Sequence, residues 1–98
     1  MNEIKLSVVI IAKDEEGRIE DCIKSVGGWA NEVIIVDDES TDNTIGLAKA
    51  LGAKIFVRKM DIEGLHRNWA YSQTSNEWVL SLDADERITE ELKREIKK

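Results

Sequence analysis

A chain of 98 residues is enough for one small domain with a real but thin core. Charged residues make up 35% of it and the formal net charge is -6, which argues against nucleic acid as a partner and obliges any phosphate-bearing ligand to find local positive charge. The single cysteine, Cys22, excludes an internal disulfide and fits a reducing compartment.

Leu6-Ser7-Val8-Val9-Ile10-Ile11-Ala12 is β-branched and nearly continuous, as expected of a strand covered on both faces of a parallel sheet. Lys13-Asp14-Glu15-Glu16-Gly17 breaks it. Ile19, Cys22, Ile23 and Val26 then fall on one helical stripe, closed by Gly27-Gly28. Glu32 to Val36 reads as a second strand running into Asp37-Asp38-Glu39. One of Ser40, Thr41 or Asp42 is expected to cap a second helix whose buried side is Ile45, Ala48 and Leu51, with Gly52 ending it.

Lys54 to Val57 is a third, shorter strand, and Leu65 to Ser72 carries a helical signal in Leu65 and Trp69. Trp78 to Leu82 is a fourth strand that stops in Asp83-Ala84-Asp85-Glu86. Thr89-Glu90-Glu91 opens a last helix with a capping hydroxyl and two acids on the positive end of its dipole, Leu92 and Ile96 sharing one face. Strand and helix alternate throughout, and no proline-rich or low-complexity linker divides the chain. The expectation is a single domain over residues 1–98, a three-layer α/β/α fold around a mostly parallel sheet of about four strands.

In such sheets ligands bind beyond the carboxyl ends of the strands, at the switch point in strand order. The acid-rich loops after the first, second and fourth strands all belong to that edge. Asp83 and Asp85 can aim at one point, the donor chemistry that holds a hard divalent cation and its phosphates, although a bare Asp-x-Asp is also an ordinary polar turn. Capping accounts for Ser40 to Asp42 but not for Asp37-Asp38. Two adjacent acids at a buried strand end suit a ligand that offers hydrogen-bond donors, such as a base imide or ribose hydroxyls.

Ser7 to Ile11 with Asp14-Glu15, Val36 to Thr44, Arg67-Asn68 and Leu82 to Glu86, in this order and spacing, resemble the amino-terminal half of a family 2 inverting glycosyltransferase. The Lys13-Asp14-Glu15 opening and the stretch Trp78 to Glu86 look most similar to the lipopolysaccharide core glucosyltransferase branch. The resemblance implies the GT-A, Rossmann-like fold of a nucleotide-sugar-binding domain that is truncated relative to the family. It also implies a nucleotide-diphosphate sugar donor, a UDP-sugar by preference, and a saccharide or lipid-linked acceptor. Carried over by position, Asp38, with Asp37 beside it in the nucleotide site, would contact the uracil or other base, Ala12 and Asp14 line its pocket, Arg67 supply positive charge, and Asp83 hold the ribose. Asp83 and Asp85 would bind Mg2+ or Mn2+. Ile11 and Lys13 stand where the family has proline and tyrosine, and Glu39 where it has glycine.

The resemblance supplies no general base within this chain, so a binding-only domain without transfer activity is the alternative; the acidic first loop disfavours a nucleotidyltransferase. Glu86 reads as support for the metal pair or as a helix start, and His66 as a surface or packing residue. Trp29, Trp69 and Trp78 read as core or packing residues, and Cys22 as a small hydrophobe. An open sheet edge predicts self-association or a complementing chain. No apolar run approaches ~20 residues and no charged leader precedes one, so the expected location is cytoplasmic, at most peripheral to the inner face of a membrane.

Overall fold

A computed structural model describes residues 5–59, 69–76 and 78–96. The strands are β1 (Leu6–Ala12), β2 (Glu32–Asp37), β3 (Lys54–Val57) and β4 (Trp78–Asp83). They form one four-stranded sheet in the order β3-β2-β1-β4, every pair parallel. The helices are α1 (Ile19–Val26), α2 (Thr44–Ala50) and α3 (Glu90–Ile96), and residues 69–72 are also helical. The three-layer α/β fold expected from the alternation is therefore the one formed.

Every residue of β1 is buried, because the strand is central and both its faces are covered. Val8, Ile10 and Ala12 face Ile19, Cys22, Ile23 and Val26 of α1, with Ala48 of α2 and Ile88 in the same cluster. Val9 and Ile11 face the other way, with Ile34, Val36 and Ala70, against Phe56, Trp69 and Tyr71. The four-residue stripe of α1 is wholly buried, as its spacing predicts. Gly27 donates its N–H to Ile23 at 2.8 Å, and Gly28 turns the chain at φ 80.

The departures have local causes. β2 and β4 each run one residue further than the apolar pattern, taking Asp37 and Asp83 into the ladder opposite Ala12 and Ile11. Leu51 is exposed, not buried: α2 ends at Ala50, and Leu51 occupies the cap position before Gly52 reverses the chain at φ 84. Thr89 Oγ1 does accept the Leu92 N–H at 3.1 Å and caps α3, but Leu92 is 48% exposed and only Ile96 reaches the core. Trp78 is 60% exposed, which corrects its reading as a core residue; it opens the edge strand, whose described partner is β1 alone. Trp29 and Trp69 do pack, partly buried, on opposite core clusters. The amino-terminal part of the expected helix from Leu65, with His66, lies outside the described residues.

Candidate functional site at the carboxyl edge of the sheet

β2 and β3 follow β1 to one side and β4 returns on the other, so the strand order switches between β1 and β4. In open α/β sheets ligands bind beyond the carboxyl ends of the strands at such a point. Ala12, Asp37 and Asp83 end their strands within one residue of a common level. Asp14, Asp38 and Asp85 follow them in the loops.

The loops after β1 and β2 are laced together. Asp38 donates its N–H to the Ala12 carbonyl at 2.9 Å. Ser40 Oγ accepts the Asp14 N–H at 2.8 Å, and Asp14 Oδ1 accepts the Thr41 N–H at 2.7 Å. Thr44 Oγ1 accepts the Glu15 N–H at 2.8 Å, Asp42 Oδ2 the Glu16 N–H at 3.1 Å, and Glu16 Oε2 the Asn43 N–H at 2.9 Å. Asp14 and Glu39 adopt left-handed backbone, φ 51 and φ 50. Such strain persists where surrounding bonds over-determine it.

The expected cap of α2 is thus divided. Asn43 is the N-cap residue and makes no side-chain capping bond, while Asp42 Oδ1 accepts the Thr44 N–H at 2.9 Å and also the Thr44 hydroxyl. Loss of solvent works to raise the Asp42 pKa, yet the bonds from Thr44 and Glu16 outweigh it and hold the carboxyl below its usual range.

Asp37 and Asp38 have different environments. Asp37 is fully buried, its Oδ1 accepting the Ser40 hydroxyl at 2.6 Å and its Oδ2 the Ser40 N–H at 2.7 Å. That pairing satisfies a buried carboxylate from within its own turn. Asp38 is partly buried, 15% of its side chain exposed, with Lys13 Nζ 4.0 Å from its Oδ2. Lys13 after β1 and Arg58 after β3 bring positive charge to this edge, Arg58 stacked 4.4 Å from the Trp69 ring centroid. Arg58 carries no motif, and sequence reasoning passed over it. Arg67 lies outside the described residues.

On the other side of β1, Asp83 and Asp85 are exposed. Glu86 is not part of α3; it folds back on Asp83, donating its N–H to the Asp83 carbonyl at 2.9 Å and accepting the Asp83 N–H on Oε1 at 2.7 Å. Cys22 Sγ lies 3.7 Å from the same Asp83 carbonyl. Burial pushes the Cys22 thiol up to about 11; Arg87 opposes the rise, while Glu86, Asp85 and Asp83 add to it. Among the described residues no three acidic, histidine or cysteine side chains form a metal cluster. Two exposed carboxylates still fit a hard cation that takes its remaining oxygens from phosphates and water.

A cleft of about 680 Å3 opens at the opposite edge, beside Asn31, Glu32, Lys54 and Ser75. Its acid is spent: Glu32 accepts Ser7 Oγ at 2.7 Å, Ser75 N–H at 2.9 Å, Ser75 Oγ at 3.0 Å and Lys54 Nζ at 2.5 Å. Size alone therefore does not make this cleft the candidate site.

Residues 7–98 match the family described as Glycosyl transferase family 2. A protein of Rickettsia typhi named as an uncharacterized glycosyltransferase is 47% identical over 94% of this chain and 32% of its own length. The glycosyltransferase SunS of Bacillus subtilis is 32% identical over 91% of the chain and 22% of its own length. Glucosyl-3-phosphoglycerate synthase from Mycobacterium tuberculosis, solved with Mn2+ and UDP-glucose, superposes with a TM-score of 0.74 at 29% identity, over 84% of this chain and 33% of that one. TarS of S. aureus, solved with UDP, gives 0.71 at 26% identity, over 95% and 31%. The chain thus spans about a third of the length of the Rickettsia relative.

Proposed function

This chain belongs to glycosyl transferase family 2, and from that membership we propose that it forms the donor-binding portion of an enzyme that moves a sugar from a nucleotide-diphosphate sugar, a UDP-sugar, to an acceptor hydroxyl. The observation that carries the reading is that the carboxyl end of β1 is flanked by Asp38 on the β2 side, its N–H on the Ala12 carbonyl, and by Asp83 on the β4 side, where the strand order switches. The UDP, Mn2+ and UDP-glucose bound by the similar solved proteins support it.

In this reading Asp38 accepts hydrogen bonds from the base, and the Ala12 main chain lines its pocket. Asp14 and Asp37 act one step back, fixing the loop from which Asp38 projects. Asp83 holds the ribose and, with Asp85, the Mg2+ or Mn2+. The chemistry such a cation would supply, when bound, is neutralisation of charge on the departing nucleotide diphosphate. Lys13 and Arg58 add positive charge at the same edge, and Arg67 is proposed for that role from its motif. Binding and orienting the donor are the steps assigned to these residues, with no general base among them. The acceptor is proposed to be a saccharide or lipid-linked saccharide, consistent with envelope polysaccharide synthesis at the cytoplasmic face of a membrane. No helix among the described residues is long and apolar enough to cross one. The outer edge of β4, beside exposed Trp78, is proposed to pair with a second copy or a complementing chain.

Titration calorimetry of the chain with UDP and Mn2+ tests the reading. Metal-dependent binding that disappears in Asp83→Ala and Asp85→Ala is the expected result. No heat at millimolar UDP, or heat that both variants leave unchanged, overturns it.

A further inference from the structure

We propose that Glu86 is a positioning residue for the cation pair, acting through the Asp83 main chain and not as a third ligand. The inference rests on the donor-site reading of Asp83 and Asp85. Three acids within four residues would look interchangeable from the sequence, but the turn separates them. Asp83 at the end of β4, Asp85 and Glu86 are all exposed, so exposure does not distinguish them; the hydrogen bonding of Glu86 does. Glu86 accepts the Asp83 N–H on Oε1 at 2.7 Å while its own N–H closes on the Asp83 carbonyl at 2.9 Å. Each residue thus satisfies the other's main chain, the same reciprocal economy as a helix capping box.

The floor of the turn is tied to α1 at three further points. Cys22 Sγ sits 3.7 Å from the Asp83 carbonyl, Ser25 Oγ accepts the Ile88 N–H at 3.3 Å, and Arg87 meets the Asp21 carboxylate at 3.3 Å. With its base held and its upper bond made by Glu86, the turn fixes where the two outward carboxylates stand before any ligand arrives. Supports of this kind govern metal affinity without touching the metal.

Two conservative variants separate this role from ligation. Glu86→Gln keeps an oxygen at the same reach and loses the charge; Glu86→Asp keeps the charge and shortens the reach by one methylene. Mn2+ affinity in the presence of UDP, read by electron paramagnetic resonance on the 98-residue chain, should fall about tenfold or more in Glu86→Asp and only a few-fold in Glu86→Gln. The reverse order, or equal losses, overturns the positioning role while leaving the donor site standing. If the unaltered chain shows no UDP-dependent Mn2+ binding, the donor-site reading fails and the inference with it.

Discussion

The Asp14 carboxylate accepts the Thr41 N–H at 2.7 Å, joining residues 27 apart in sequence and closing the loop after β1 onto the loop after β2. Asp14 holds this bond from a left-handed backbone, φ 51, a conformation that asparagine tolerates and alanine does not share cheaply. Asp14→Asn retains an oxygen for Thr41 and should stay within about 1 kcal/mol of the parent, whereas Asp14→Ala loses both bond and conformational fit and should cost about 1–3 kcal/mol. Urea unfolding of the two variants checks this, and equal losses would show that the carboxylate charge matters more than the lacing.

Glu39 holds a left-handed backbone, φ 50, a region that glycine enters without steric cost. Its side chain is exposed, so no packing compensates for the strained backbone. Glu39→Gly should stabilise the fold by about 0.5–1 kcal/mol, the left-handed penalty less the extra freedom glycine gives the unfolded chain. A raised melting temperature is the readout, and a lowered one would mean that Glu39 makes a contact worth more than its strain.

How far the sequence is legible depends on the range of the interaction involved. β1, β3 and the buried stripe of α1 follow from nearest-neighbour patterns in apolar residues, and they form as the spacing predicts. Asp37 and Asp38 are adjacent and chemically identical, so pattern assigns them one role. Only the backbone reveals that Asp37 turns inward to Ser40 while Asp38 turns toward Lys13. Ser40, Thr41 and Asp42 read as candidate caps because capping is local; their partners Asp14 and Glu16 lie more than twenty residues away, beyond any periodicity. Leu92 and Trp78 mislead for the opposite reason, since an apolar side chain records a preference for burial without naming what would cover it.

Cys22 offers a direct report on the ground beneath the proposed cation turn. The thiol is fully buried and held up to about 11, so the thiolate fraction near neutrality is minute. Ellman's reagent should not label the folded chain on a timescale of minutes and should react fully in denaturant, the native rate following global unfolding. Rapid labelling without unfolding would show that the contact between Cys22 and the Asp83 carbonyl opens locally.

Glu32 makes a pH-dependent contribution to the fold. Burial alone would raise its pKa, but the Lys54 ammonium and the hydrogen bonds from Ser75 and Ser7 prevail and hold it at about 2, against an ordinary 4.5. A folded pKa below the unfolded one means that the unfolded chain binds the proton more readily. The contribution is therefore fully present above about 4.5 and is lost progressively as pH falls toward 2. Glu32→Gln should cost on the order of 1–3 kcal/mol at neutral pH, because one amide cannot replace both carboxylate oxygens toward Lys54 and Ser75. The gap between variant and parent should narrow as pH falls through that window, and chemical denaturation at neutral pH and near pH 3 measures it. A gap that stays constant would mean that Glu32 ties β1, β2, β3 and the approach to β4 together by shape and not by its charge.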